Sequence, residues 1–260
     1  MFLDTHSHIH FAKEFPDVEE LLERAQQAKV TRQIIVGCTV ADSYVALEFV
    51  KKHVGLDIWS TLGVHPHSSD EWNDEVCARF RATVLQENAG DKKIVALGEM
   101  GLDYFRDLKP RDIQLKAFEE QLILAKELDL PVVVHVRDAW EDAMATLAKV
   151  GNSKVILHCF TGTVEYAKMC WERGYHTSFS GVLTYHKNGY LREIAEAAPK
   201  GLILIETDCP YLTPQVFRGK RNEPAFVVET AKVLAEARGV TLDEIAEITT
   251  QNAMKLFAIS

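Results

Sequence analysis

A chain of 260 residues carries 38 acidic against 29 basic side chains and a net charge of −9. Its 47% hydrophobic content suffices for one large core, but no run reaches the ~18 residues a membrane helix needs. The acidic balance argues against a protein that coats duplex DNA through broad electrostatics. Asp4 and His6 interrupt the apolar start, so it does not read as a signal peptide. Five scattered cysteines without a Cys-x-x-Cys pair fit a reducing cytoplasm, the expected location.

Apolar, β-branched runs predict strands at 2–8, 32–38, 57–64, 93–99, 131–136, 154–160, 175–181 and 201–207. Amphipathic patterns between them predict helices at 17–28, 41–53, 72–89, 111–128, 138–150, 163–173 and 188–198. Two more follow at 222–238, with Asn222 as cap, and at 241–257, where "TLDE" has the form of a capping box. Eight strand–helix units in this length predict an α/β fold, a (β/α)8 TIM barrel forming a single domain over 1–260. An open doubly wound sheet is the weaker reading, because the first strand-to-helix turn lacks a glycine fingerprint.

"FLDTHSHIH" at 2–10 places His6 and His8 two residues apart on a strand, hence on one face. Other metal-ligand types gather at the carboxyl ends of the strands, where barrel active sites are built. His65 and His67 follow strand three, Glu99 ends strand four, His135 strand five and His158 strand six. Glu206 and Asp208 end strand eight. A single buried histidine is more often a satisfied core residue than a ligand. An ionised carboxylate after a buried strand, by contrast, is costly unless paired or metal-bound. Six such residues converging at one end favour a metal centre: His6, His8, Glu99, His135, His158 and Asp208. Four imidazoles and two carboxylates exceed the needs of one catalytic ion, so two divalent cations are expected, with Glu99 as the natural bridge. Cations ~3.5 to 4 Å apart can share a water and lower its pKa. Their identity stays open among Zn²⁺, Mn²⁺ and Mg²⁺.

In order and spacing, "DTHSHIH", "GVHPH", "LGEMGLDY", "VVHVRDA", "LHCFTG", "ETDCPYLTP" and "RGKRNEP" resemble the TatD family of metal-dependent deoxyribonucleases, within the amidohydrolase superfamily. The resemblance spans nearly the whole chain. It implies hydrolysis of DNA, in the 3′→5′ exonuclease manner, by a divalent-metal barrel. It places one cation on His6, His8, Glu99 and Asp208, and the second on Glu99, His135 and His158. The first His-x-His pair, missing from some members, is present here.

Asp208 and Glu99 are the expected catalytic residues, Asp208 also taking the proton of the attacking water. Arg137, two residues after His135, suits a bidentate grip on phosphate, against a salt bridge to Asp138 or Glu141 as the bland alternative. His65 either hydrogen-bonds a phosphate or buttresses its loop. "RGKR" at 218–221 puts Arg218, Lys220 and Arg221 just beyond strand eight, where a phosphate backbone would pass. Tyr104, Phe105 and Tyr185 are candidates to stack on an unpaired base. Cys159 is expected to face away from His158 and pack behind the wall. His10, His53, His176 and His186 show no such convergence.

The reading is a phosphodiesterase trimming single-stranded 3′ ends of DNA, without membrane association or an obligate protein partner. A small-molecule amidohydrolase or phosphoesterase on the same two-metal barrel is the alternative. A barrel that merely binds metal or nucleic acid is a third reading, disfavoured by the complete ligand set. A strong loss of DNA cleavage with rising salt, softened by removing the basic cluster, would separate the first from the second.

Overall fold

The computed structural model describes residues 1–259. Eight parallel strands lie in one sheet, each beside the next in chain order. They are β1 (Phe2–Ser7), β2 (Val30–Ile35), β3 (Asp57–Leu62), β4 (Ile94–Asp103), β5 (Val132–Arg137), β6 (Val155–Leu157), β7 (His176–Phe179) and β8 (Ile203–Ile205). Helices α1 (Val18–Gln27), α2 (Val40–Lys52), α3 (Asp74–Glu87), α4 (Arg111–Glu127), α5 (Trp140–Val150), α6 (Val164–Glu172) and α7 (Gly189–Ala197) fill the crossovers. The helices α8 (Val227–Arg238) and α9 (Leu242–Phe257) follow β8. This is the predicted (β/α)8 order, with long apolar runs buried on both faces of each strand.

The chain divides into two compact units, residues 1–35, 55–58 and 159 onward, and residues 36–54 and 59–158. In the first, β1 pairs with β2 and β7 with β8, and a parallel bridge joins Ser7 to Cys209. Strand β1 is buried along its length, polar residues included, because its inward hydroxyls find backbone partners. Thr5 Oγ1 donates to the Ile205 carbonyl at 2.9 Å and Ser7 Oγ to that of Ile34 at 3.3 Å. The expected capping box of α9 is formed, Thr241 and Glu244 each accepting the other's backbone N–H.

In the second unit β3, β4, β5 and β6 run side by side. Strand β4 differs from expectation: it continues past Glu99 to Asp103. Leu97 pairs with Val132 but Met100 with Val134, so β4 spends an extra residue there, as in a bulge. Glu99 therefore lies inside the strand, and Met100 and Leu102 carry the buried apolar pattern onward to Asp103. Gly101 has φ +139°, and a Cβ there would sit 2.0 Å from the His135 carbonyl oxygen. Only glycine lets β4 lie this close to β5.

Two other expectations are corrected. Helix α8 begins at Val227, after a short 3-10 turn at Pro224–Phe226, and Asn222 is not its cap. The buried Asn222 amide instead donates to the carbonyls of Thr207 (2.9 Å) and Tyr211 (2.5 Å), tying down the loop after β8. Strand β6 stops at Leu157, so strand alternation no longer governs Cys159. That residue has φ +43°, and its sulfur lies 3.1 Å from Ser180 Oγ.

Candidate metal centre

In the first unit, β1 delivers His6 next to its carboxyl end and His8 just past it. Alternation does what the sequence spacing predicts: the two Nε2 atoms are 3.2 Å apart. Asp208 Oδ1 lies 3.6 Å from His6 Nε2 and 3.4 Å from His8 Nε2. Asp208 sits in the left-handed region (φ +56°), a conformation aspartate tolerates better than most residues. Backbone pairing holds it there: Asp208 N–H donates to the His6 carbonyl and His8 N–H to that of Cys209, both at 2.9 Å. Beneath them the fully buried Asp4 accepts the Thr207 hydroxyl (2.5 Å) and N–H (2.9 Å). Burial outweighs these bonds and pushes the Asp4 carboxyl up to about 7. Glu206 is buried as well, and its Oε1 accepts the N–H of Cys159 at 2.7 Å.

The three donor atoms of His6, His8 and Asp208 form a near-equilateral triangle. Bonds of about 2.1 Å to a tetrahedral cation would space its ligands by about 3.4 Å. The observed edges of 3.2, 3.4 and 3.6 Å bracket that figure. Two imidazole nitrogens and an anionic oxygen also supply the right chemistry, and the set fits a divalent ion.

In the second unit, three imidazoles surround a single oxygen, Glu99 Oε1. His135 Nδ1 is 3.0 Å away, His158 Nε2 3.4 Å and His65 Nε2 3.5 Å. Ligand atoms of His65, Glu99 and His135 all fall within 4.8 Å of one another. The other carboxylate oxygen, Oε2, accepts from the Cys38 thiol at 3.6 Å.

Hydrogen bonding to the far nitrogens separates these histidines. His65 Nδ1 accepts the His67 N–H at 3.1 Å. A neutral His65 therefore carries its proton on Nε2, the atom facing Glu99, and is a donor rather than a ligand. Burial drives the His65 pKa well below normal, which keeps it in that neutral form. His135 is the reverse case, since its Nε2 faces Asp103 Oδ2 at 3.3 Å and its Nδ1 points to Glu99. Burial alone would lower the His135 pKa, but Asp103 and Glu99 more than reverse that and raise it.

Asp103 and Cys38 are the residues sequence reasoning missed. The signal for Asp103 lay in "GEMGLD", whose buried Met100 and Leu102 extend the strand two alternations beyond Glu99.

The predicted phosphate-binding residues are dispersed among other partners. The Arg137 guanidinium stacks 3.8 Å from the centre of the Phe105 ring, and Phe105 is 59% exposed. Arg218 lies over Tyr185 at 4.5 Å and Lys220 over Phe217 at 5.5 Å. Arg221 is held by Asp17 at 2.7 and 2.9 Å, by the Glu14 carbonyl and by the face of Phe15. Tyr104 donates its hydroxyl to Asp142 at 2.7 Å, so it is braced rather than free to stack.

A family profile described as TatD-related DNase matches residues 3–258. The chain belongs to the TatD family. It is 40% identical, over the full length of both proteins, to a Bacillus subtilis protein named as the uncharacterized metal-dependent hydrolase YabD. A Rahnella protein named 3′-5′ ssDNA/RNA exonuclease TatD is 39% identical, the match covering 93% of this chain and 92% of the relative. Among solved structures, the Escherichia coli TatD homologue YjjV superposes with a TM-score of 0.91 at 29% identity, covering 100% of this chain and 98% of that one. The TatD-family chain is thus a metal-dependent hydrolase of the nuclease class on a (β/α)8 barrel, with His/Glu clusters able to bind metal. Among the described residues no helix is long and apolar enough to cross a membrane.

Proposed function

We propose that this TatD-family hydrolase is a 3′→5′ exonuclease acting on single-stranded DNA ends in the cytoplasm, with residues 1–260 working as one catalytic domain. The observation that carries the reading is the ring of imidazoles around Glu99 Oε1, nitrogen and oxygen donors of the kind a divalent cation takes. In this reading His6, His8 and Asp208 would hold one cation and His135 and His158 a second, with Glu99 supplying carboxylate oxygen to them. The cations, when bound, polarise the phosphate and make water more acidic.

The chain's own groups do the rest. Asp208 accepts the proton as water oxygen attacks phosphorus. The bond from phosphorus to the 3′-oxygen of the preceding nucleotide breaks, and that oxygen takes a proton from solvent. His65, a neutral Nε2–H donor, hydrogen-bonds a non-bridging phosphate oxygen. Arg137 with Phe105, and Arg218 with Tyr185, offer a cation beside an aromatic face, a pairing that suits phosphate and base together. Lys220 adds charge to the backbone path, while Arg221 anchors its loop to Asp17. Family membership does not favour the small-molecule alternative.

The test is incubation of metal-reconstituted protein with end-labelled single- and double-stranded oligonucleotides beside a panel of small esters and amides. Stepwise shortening from the 3′ end of single strands, with the small substrates untouched, is the expected result. Turnover of a small amide with intact oligonucleotides would overturn the reading.

A further inference from the structure

The second-unit cluster has a member to which no role has been given. Asp103 is 1% exposed, and its Oδ2 faces two imidazoles at once: His67 Nε2 at 2.8 Å and His135 Nε2 at 3.3 Å. The His67 contact is a hydrogen bond, whereas His135 Nε2 stands within ion-pair distance of Oδ2 without hydrogen-bond alignment. Oδ1 is occupied separately, accepting the N–H groups of Phe105 (3.1 Å) and Arg106 (2.8 Å). The Asp103 backbone is fixed as well, its N–H donating to Gln114 Oε1 at 2.9 Å. The carboxylate is thus immobilised on one side and directed at imidazoles on the other.

We propose that Asp103 is a positioning residue that fixes the tautomer of His135, holding the proton on Nε2 so that Nδ1 presents its lone pair to the second cation. An ionised carboxylate can only accept, so with a cation at His135 Nδ1 the imidazole keeps its proton on Nε2, the atom facing Asp103 Oδ2. Partners of this kind, behind a metal-bound histidine, orient the ring and raise its basicity. Strand β4 supplies both Glu99 and Asp103, four residues on and therefore on the same face by strand alternation. The inference rests on the two-cation reading above.

Asp103→Asn distinguishes positioning from mere loop support. Asparagine keeps an oxygen for the Phe105 and Arg106 N–H groups, so the loop survives. Its amide NH₂ then faces the imidazoles, and His135 must move its proton to Nδ1, where it blocks the lone pair. Calorimetric titration with Mn²⁺ should show two ions bound by the wild type. In the variant, affinity for one ion should fall ~10- to 100-fold while the other is retained. Nitrogen-15 spectra of the Zn²⁺-loaded proteins should report the Nε2–H form of His135 in the wild type and the loss of that form in Asp103→Asn. Unchanged affinity at both sites, equal loss at both, or an unaltered tautomer would overturn the proposal. A wild type that binds only one ion would instead refute the two-cation reading, and is seen before any variant is made.

Discussion

At the scale of single residues, the histidines around Glu99 share a side chain but differ in the partner behind the ring. A backbone N–H behind His65 makes its near nitrogen a donor, whereas the Asp103 carboxylate behind His135 favours a proton on the far nitrogen and leaves the near one to a cation. His65→Ala should therefore lower kcat/KM about 10- to 100-fold, the worth of one hydrogen bond to a charged group, while uptake of both cations stays intact. Steady-state kinetics and metal analysis on the same preparation check both halves. Asp208→Asn should reduce kcat by at least about 100-fold with little change in KM, the usual scale of a lost general base. A metal-loaded variant turning over at near wild-type rate would refute the proton-acceptor role. The candidate ligands stood out in the sequence because imidazoles and carboxylates seldom interrupt apolar strands. Tautomers were not, since they depend on contacts such as His65 with the His67 N–H and His135 with Asp103, which only folding creates.

At the scale of elements, strand order and helix order were readable from hydrophobic periodicity, but irregularities were not. The bulge beside Glu99 and the close approach of β5 at Gly101 are set by pairing between strands, which a local pattern does not record. The loop after β8 shows the same limit. Its basic run reads as a single phosphate-binding patch, yet Arg221 joins Asp17, and Arg24 binds Glu223 through Nε and Nη2 at 2.7 to 3.0 Å. This network fastens α1 to the segment before α8. Hydrogen bonds from Arg221, opposed by burial and aided by Arg24, hold the Asp17 carboxyl well below its ordinary 3.8. A depressed acid contributes stability above its unfolded pKa and loses it as pH falls through the folded one. At neutral pH Asp17→Asn should thus cost about 1 kcal/mol at most, given the solvent exposure of the pairs. The gap to wild type should begin to close below about pH 4. Denaturant midpoints of both proteins at pH 7 and pH 3 measure it. An equal gap at both values would show that the carboxylate's charge is not what matters.

At the scale of the whole molecule, an acidic protein of net charge −9 is assigned to a polyanionic substrate. Cations bound at the strand ends would reconcile the two, because they reverse the local field whatever the overall balance. The sequence made the barrel legible through eight repeated units. It made the centre legible only as separate ligands, from His6 near the start to Asp208 far along the chain. Whether they act together is the central claim, and anomalous X-ray scattering from Mn²⁺-soaked crystals tests it most directly. The account predicts two peaks flanking Glu99, one against His6, His8 and Asp208 and one against His135 and His158. A single peak, or two that do not share Glu99, would contradict it.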